Sequence, residues 1–296
     1  MLSILIPIYN YNSYNLVKAI STQAENAGVN YEIIVIDDCS NQKFVDNTHI
    51  HDLPHCTYIE LAQNIGRAKI RNLLASKAKY DFLLFMDCDA LVYSATFLKK
   101  YLVYCNKNSV VCGGCLYNQK VTNTAYLLRL QYGKARESRT VEERQEFKYN
   151  SFSSFNFLIP KVIFDSIRFN ENIVEYGHED TVFGYELKLH NYNILHIDNP
   201  LIHEGLEPAA VFLSKTKKSM KNLYIISQET KYQNIIVDIK VLKAYRLLKK
   251  CKLNKIYLQL FQVFSSNIER NLLGKHPRIF LFDLYKLAHL CLTYKN

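Results

Sequence analysis

Short apolar runs alternate with amphipathic stretches along the first third of the chain. Residues 3–8 and 31–36 are apolar and rich in β-branched side chains, which favours buried strands, and residues 57–61 form a shorter run of the same kind. Residues 16–25, after the first run, and 64–77, after the third, repeat apolar positions at helical spacing. This alternation of strands and helices predicts a parallel sheet with right-handed crossovers.

The strongest apolar run comes next, at residues 82–86, and it ends in Asp87-Cys88-Asp89. Five consecutive apolar residues predict a central strand that is buried on both faces. Open α/β sheets bind ligands just outside the carboxyl ends of their strands, and two carboxylates there repel each other unless a cation lies between them. Oxygen ligands suit Mg²⁺ or Mn²⁺, so we predict a metal that joins these acids to a diphosphate. The alternative is a solvated turn that contains two acids.

Later segments predict further elements of both kinds. We expect a helix at residues 97–104 and strands at 109–115 and 152–160. Residues 131–146 alternate in charge, which is typical of an exposed helix stabilised by ion pairs. The alternative for this segment is a mobile lid over the site.

Composition limits the class of protein. At 296 residues and 49% hydrophobic content, the chain can bury a core in one large domain or in one domain with an extension. Its apolar runs are shorter than the roughly 18 residues that span a bilayer, and its first run predicts a strand rather than a signal peptide. Eight cysteines then indicate reduced thiols in a cytosolic protein. Cys112 and Cys115 have CxxC spacing but no second pair, which favours buried thiols.

The net charge of +10 is concentrated at the C-terminal end. Residues 1–208 hold 20 Lys and Arg against 23 Asp and Glu, a balance of −3, whereas residues 209–296 hold 17 against 4, a balance of +13. We therefore predict a main domain over 1–208 and a basic helical extension over 209–296. Basic amphipathic helices suit an anionic membrane surface, but a helical subdomain with a solvated basic rim explains the pattern equally well.

Four short motifs follow one another in the first part of the chain: Ile6-Pro7-Ile8-Tyr9-Asn10, Ile36-Asp37-Asp38-Cys39-Ser40, Asn64-Ile65-Gly66 with Arg71-Asn72, and Met86-Asp87-Cys88-Asp89. In this order and spacing they resemble the nucleotide-sugar domain of family 2 glycosyltransferases. The resemblance implies the GT-A fold, an α/β architecture with a mostly parallel twisted sheet flanked by helices. It also makes 1–208 a catalytic domain that binds nucleotide-sugar and acceptor.

The same resemblance implies roles for individual side chains. It assigns Pro7 and Tyr9 to the uracil pocket, Asp38 to the uracil edge, Asn64 and Arg71 to the nucleotide, Asp87 to the ribose and Asp89 to the metal. These roles agree with elementary chemistry, because a uracil N–H needs an acceptor and ribose hydroxyls can donate to a carboxylate.

A second acidic pair, Glu179-Asp180, precedes apolar residues at helical spacing. Acids in the first turn of a helix complement its dipole, which is the structural interpretation. The functional one is a general base, because a sugar hydroxyl is a poor nucleophile at neutral pH. The stretch resembles the Gly-x-Glu-Asp element of inverting sugar transferases, including the C-terminal part of galactosyltransferase-like enzymes. That resemblance makes Asp180 the base, places Glu179 against the sugar, and puts Tyr176 where relatives often hold an acceptor-stacking tryptophan.

Two histidines follow, at 196 and 203. Family 2 relatives often have a late histidine that completes the metal shell, and by resemblance we assign this role to His203. His196 alternates with apolar residues, so we expect it in or near the core.

The resemblance therefore implies a metal-dependent, inverting glycosyltransferase that uses a UDP-sugar. The expected acceptor is a surface glycan, either free or linked to a lipid. We expect the enzyme in the cytoplasm or on the inner face of the cell membrane. A nucleotidyl or phosphosugar transferase is the enzymatic alternative, although it usually needs a Gly-rich first loop that this chain lacks. A nucleic-acid-binding protein is a third class, but no nucleic acid is expected because the acidic N-terminal motifs would repel its backbone.

Overall fold

The computed structural model describes residues 1–106, 108–117, 120–173, 176–232 and 239–294. Its strands are β1 (Leu2–Ile8), β2 (Tyr31–Asp37), β3 (Cys56–Glu60), β4 (Phe82–Met86), β5 (Ala90–Leu91), β6 (Val110–Cys112), β7 (Cys115–Leu116), β8 (Asn156–Pro160), β9 (Ile194–His196) and β10 (Leu201–His203). Seven of them form one sheet in the order β3-β2-β1-β4-β8-β6-β9, and the other three form a small sheet in the order β5-β10-β7.

Helices connect and cover these strands. They are α1 (Tyr14–Ala27), α2 (Arg67–Lys77), α3 (Phe97–Leu102), α4 (Leu127–Tyr132), α5 (Val141–Glu146), α6 (Lys161–Ile167), α7 (Glu179–Leu189), α8 (Ala209–Gln228), α9 (Lys240–Lys250), α10 (Asn254–Leu272) and α11 (Ile279–Thr293). Within the described ranges, no helix combines the length and hydropathy needed to cross a bilayer.

The mostly parallel sheet is confirmed. β1 pairs in parallel with β2 and β4, and β2 with β3, as the β-α-β alternation predicted. β4 is the central strand of the seven, and four of its five residues are buried. The pairing of β1 with β4 stops at Leu5, so Pro7 lies beyond it, where a missing N–H costs no bond to β4. β8 runs antiparallel to both β4 and β6.

Two predicted strands are shorter or broken. Residues 109–115 do not form one strand, because the chain leaves the large sheet after β6 and enters the small one at β7. Gly113 and Gly114 make the break possible: a Cβ on Gly113 would lie 2.4 Å from the backbone oxygen of Asn199, and Gly114 has a φ of +94°. The strand predicted over 152–160 begins only at Asn156.

The charged segment 131–146 is not a single exposed helix. A π-helical turn at Gly133–Glu137 is followed by α5, which starts at the capping box of Thr140 and Glu143. Arg144 is buried, and its guanidinium donates to the backbone oxygens of Cys112 and Ile197 at 3.1 and 2.9 Å. The charge pattern of the sequence does not predict the burial of Arg144, because its partners are backbone oxygens, which every residue carries.

The chain divides into two compact units. The first comprises Met1–Asn118, Ser138–Val174 and Glu179–Gly205, and its two clusters of buried apolar residues involve the strands of the large sheet. The second comprises Gln119–Glu137, Glu175–His178 and Leu206–Asn296. Helices α8, α10 and α11 supply most of its core, which includes Phe212, Leu223, Leu272, Phe282 and Tyr285.

Candidate active site

Asp87 follows the last residue of β4, at the carboxyl edge of the sheet, where its carboxylate meets a buried arginine. Nη2 of Arg71, on α2, donates to Oδ1 of Asp87 at 2.6 Å. Arg71 is only 3% exposed, and its guanidinium carbon lies 5.5 Å from the centroid of the Phe169 ring. The pair is therefore a desolvated, charge-assisted hydrogen bond.

Arg71 also acts on the second acidic pair. Burial alone would lower the pKa of its guanidinium, but the negative charges of Asp87, Asp180 and Glu179 outweigh burial and raise it. Glu179 is buried in the first turn of α7, and Oε1 of Glu179 lies 3.5 Å from Nη1 of Arg67. The structure thus brings the two acidic motifs together around the arginines of α2.

Asp180 has the environment of a proton acceptor. Its Oδ2 accepts the backbone N–H of Ser154 at 3.0 Å. Its Oδ1 is buried and has no hydrogen-bond partner within the described part of the chain. Burial, and then the charge of Glu179, raise the pKa of Asp180 to about 6, while Arg71 opposes them. A carboxyl with such a pKa can lose its proton below neutrality and accept another from a substrate.

Strand pairing in the small sheet brings Asp89 close to His203. β5 begins directly after Asp89, and the antiparallel pairing of β5 with β10 sets Ala90 opposite His203. Oδ2 of Asp89 lies 3.5 Å from Nε2 of His203. Burial raises the pKa of Asp89 and the charge of Asp87 adds to this, whereas His203 lowers it.

The pair fits a divalent metal. Carboxylate oxygen and imidazole nitrogen are both ligands of such ions, and two atoms that are each about 2.1 Å from one ion can lie up to about 4 Å apart. Gly205 leaves room for the carboxylate, since a Cβ there would lie 1.9 Å from Oδ2 of Asp89. The rings of Tyr117 and Phe155 stack on His203 at 4.9 and 5.3 Å and fix its plane. No group of three or more metal-binding side chains occurs among the described residues.

The residues predicted to hold the nucleotide lie in neighbouring loops. Asp38 is buried, and its two carboxylate oxygens accept the backbone N–H groups of Ile65 and Gly66 at 2.7 and 2.9 Å. Asn64 is exposed and donates to the backbone oxygen of Asp38 at 3.0 Å. Tyr9 is 46% exposed at the end of β1. Asp38 therefore anchors the loop before α2, and its contact with uracil stays a prediction.

Two further residues that the sequence analysis discussed are Tyr176 and His196. Tyr176 belongs to the second unit, where Nζ of Lys215 lies 5.1 Å from the centroid of its ring; its role toward an acceptor stays a prediction. His196 is buried as expected, and its Nδ1 lies 3.1 Å from Nη1 of Arg144. Burial lowers the pKa of His196 to about 4.

The chain is similar to known proteins in sequence and in fold. The profile named "Glycosyl transferase family 2" matches residues 3–168, more than half of the chain. The chain belongs to glycosyl transferase family 2. An uncharacterized glycosyltransferase of Haemophilus influenzae is 35% identical over 89 residues, which are 30% of this chain and 29% of that protein. Another from the same species is 24% identical over 196 residues, 62% of this chain and 78% of that protein.

Solved structures confirm the GT-A fold of this family 2 glycosyltransferase. A mannosyltransferase, PcManGT from Pyrobaculum calidifontis in complex with GDP-Man and Mn²⁺, superposes with a TM-score of 0.56 and 12% identity, covering 100% of this chain and 88% of its own. S. aureus TarS superposes with a TM-score of 0.51 and 16% identity, covering 99% of this chain and 55% of its own. At such low identity the likeness shows the fold alone.

Two contributors to the site of this glycosyltransferase were not predicted from its sequence. Gly205 lies two positions after His203, and a glycine so close to a predicted ligand could have drawn attention. Tyr11 follows the first motif; burial raises the pKa of its hydroxyl, and the charges of Asp89 and Glu204 raise it further.

Proposed function

We propose that this family 2 enzyme is a metal-dependent, inverting hexosyltransferase that moves a sugar from a UDP-sugar to a hydroxyl group of a surface glycan. One observation supports this most strongly: Asp180, with its raised pKa and an unpartnered buried oxygen, shares Arg71 with the Asp87 end of the Asp-x-Asp motif. In this proposal, Asp87 on the nucleotide side and Asp180 as the proton acceptor both interact electrostatically with one guanidinium.

The proposed reaction is a single displacement. The acceptor hydroxyl oxygen attacks the anomeric carbon from the side opposite the diphosphate, and Oδ1 of Asp180 takes the hydroxyl proton. The bond between the anomeric carbon and the diphosphate oxygen breaks, and its electron pair leaves with UDP. Because attack and departure are on opposite sides, the anomeric configuration inverts.

The other residues would bind and orient the substrates. Asp87 would accept from ribose hydroxyls while Arg71 holds its carboxylate in place. Asp89 and His203 would hold Mn²⁺ or Mg²⁺, which neutralises charge on the leaving diphosphate. Glu179, fixed by Arg67, would orient the transferred sugar. Pro7, Tyr9, Asp38 and Asn64 would form the base and ribose side of the pocket.

A donor screen tests this proposal. Purified full-length protein is incubated with a panel of UDP-sugars and with GDP-mannose, in Mn²⁺, in Mg²⁺ and in EDTA, and released nucleoside diphosphate is measured. We expect release from at least one UDP-sugar, only with metal, and loss of release in Asp180→Asn. NMR of the product then gives the anomeric configuration. Release in EDTA, release from GDP-mannose alone, or a retained configuration would each refute a part of the proposal.

A lipid-linked acceptor is the second part of the proposal. The positive C-terminal segment supports it, because an enzyme near an anionic inner membrane surface would meet such acceptors at high local concentration. Transfer to a detergent-dispersed lipid-linked glycan, compared with the same glycan without its lipid, is the corresponding measurement.

A further inference from the structure

Helix α10 has two apolar faces. One is buried in the core of the second unit and carries Leu258, Phe261, Ile268 and Leu272. The other carries Ile256, Leu260, Val263 and Phe264, which are exposed to 53, 55, 73 and 51%. We call these four residues the outer stripe. Their spacing of four, seven and eight positions from the first places them on one side of the helix, away from the core.

Exposed basic residues precede the outer stripe along the chain, on α9 and in the turn that leads into α10. The exposed side of α9 carries Lys243, Arg246 and Lys250 at spacings of three and seven positions, and exposed lysines continue through the turn into α10. We call the basic border the set Lys243, Arg246, Lys249, Lys250, Lys252 and Lys255. Among the residues that the structure describes, none of the six forms an ion pair.

Charge decides which partner fits these two features. A second copy of the chain would bring together two C-terminal segments of net charge +13, which disfavours self-association through this surface. An anionic bilayer offers phosphate groups to the basic border and a boundary of acyl chains to the outer stripe. The ammonium group of a lysine can also reach a phosphate while its methylene groups lie along apolar surface.

We propose that α9 and α10 form a docking surface for an anionic lipid bilayer. The outer stripe enters the boundary between headgroups and acyl chains, and the basic border binds lipid phosphates. The proposal deepens the proposed function and rests on it for its purpose, the approach to a lipid-linked acceptor. Binding itself needs no donor, so a test without nucleotide-sugar distinguishes failure of docking from failure of catalysis.

The chain contains no tryptophan, which allows a direct test of insertion. A single Val263→Trp reports on the outer stripe, and Val162→Trp in α6 is the matched control, because both valines are 73% exposed. With vesicles of equal parts phosphatidylcholine and phosphatidylglycerol, we expect the emission of Val263→Trp to shift to the blue and that of Val162→Trp to stay unchanged. Pure phosphatidylcholine should produce no shift in either.

Two outcomes of this experiment would overturn the proposal. One is an unchanged Val263→Trp spectrum with the anionic vesicles. The other is a blue shift without vesicles that grows with protein concentration, which would make a second copy the partner. Analytical ultracentrifugation of the unsubstituted chain checks the second outcome independently.

Flotation with the same vesicles separates the contributions of charge and apolar surface. Replacing Lys249, Lys250, Lys252 and Lys255 together by Gln should lower the vesicle-bound fraction at least about tenfold, since basic residues near an anionic surface contribute strongly. Leu260→Asp with Phe264→Asp should lower it comparably. The control replaces four exposed lysines of the first unit by Gln: Lys18, Lys77, Lys79 and Lys99. Unchanged melting temperatures show that the variants fold, and flotation equal to that of the control would refute the docking surface.

Discussion

Arg71 lies buried beneath Asp87 and donates to it at 2.6 Å, while the same guanidinium feels the charges of Glu179 and Asp180. One cation therefore stabilises carboxylates from two distant parts of the chain. This arrangement explains how acids at the start of α7 and at the end of β4 can lie close together without expelling each other by repulsion. It also makes the arginine a residue whose loss has separate effects on folding and on function.

Replacing Arg71 by methionine should cost up to about 3–5 kcal/mol of unfolding free energy, because Arg71 is the buried cation that interacts with Asp87, Asp180 and Glu179 together. Urea unfolding measures this loss. Arg67→Met is the matched control on the same helix; Arg67 is half exposed and its pair with Glu179 spans 3.5 Å, so it should cost less than about 1 kcal/mol. Adding Asp87→Asn to Arg71→Met should recover part of the loss, and equal losses in the two single arginine variants would contradict a buried pair.

Asp89→Asn and His203→Gln should each abolish the metal dependence of UDP binding. Both retain approximate side-chain size, so folding should be unaffected, whereas an ion would lose a protein ligand. Calorimetric titration of UDP in Mn²⁺ and in EDTA measures the effect. Asp81→Asn serves as a control, because Asp81 is exposed just before β4. If the wild-type protein binds UDP equally well in EDTA, the metal has no part in nucleotide binding.

Asp180→Asn should reduce kcat by ~10²–10⁴ while UDP still binds, because the amide cannot accept the hydroxyl proton. In the wild-type enzyme, kcat should rise with pH through the pKa of about 6, since only the carboxylate form is the base. Steady-state kinetics across this pH range measure both effects. Asp165→Asn, at an exposed acid in α6, is the control. Near-normal turnover by Asp180→Asn would show that Asp180 is not the base and serves only to stabilise the N-terminal end of α7.

The raised pKa of Asp180 also affects stability. An acid whose pKa is lowered by folding stabilises the protein as pH rises, whereas Asp180 should do the opposite. Folding raises the pKa of Asp180 from 3.8 to about 6, so between these values the folded protein holds a proton that the unfolded chain has released. Stability contributed by this group is therefore lost as pH rises through that window. We expect Asp180→Asn to melt at a higher temperature than wild type above the window and at the same temperature below it. Calorimetry at the two pH extremes decides this, and a lower melting temperature above the window would contradict the raised pKa.

Gly205→Ala should weaken metal binding with little effect on folding. The added Cβ would lie 1.9 Å from Oδ2 of Asp89, so the carboxylate must turn away from its position opposite His203. The dissociation constant for Mn²⁺ in the presence of UDP measures the change. In the background of Asp89→Asn, where UDP binding should no longer depend on metal, the alanine should have no further effect on the affinity for UDP in Mn²⁺, since interacting sites are not additive. An equal effect in both backgrounds would show that Gly205 acts elsewhere.

The hydrophobic pattern alone predicts the central part of the large sheet. The run at residues 82–86 is apolar throughout and becomes the central strand β4, and the alternation around it predicts parallel pairing correctly. Glu179 does begin a helix, because its position before an apolar helical pattern is a local signal. The acids at Asp87 and Asp89 are likewise visible from their place after a strand.

The sequence fails where the deciding contact is distant. Arg144 reads as one charge in an alternating series, yet it is buried because its acceptors are backbone oxygens such as that of Ile197. Gly113 and Gly114 read as part of an apolar strand, whereas tertiary crowding around them splits it. The pairing of Asp87 with Arg71 depends on the approach of α2 to β4, and the hydrophobic pattern does not encode that approach.

The antiparallel strand β8 carries a consequence for biosynthesis. β4 pairs with β1 on one side and with β8 on the other, and residues 156–160 are made well after residues 82–86. Until they leave the ribosome, a fully apolar strand has one open edge, which is the kind of surface that recruits other chains. A nascent fragment that ends before Asn156 would contain all four N-terminal motifs and leave one edge of β4 unpaired. We therefore expect the smallest stable fragment that contains these motifs to extend through β8.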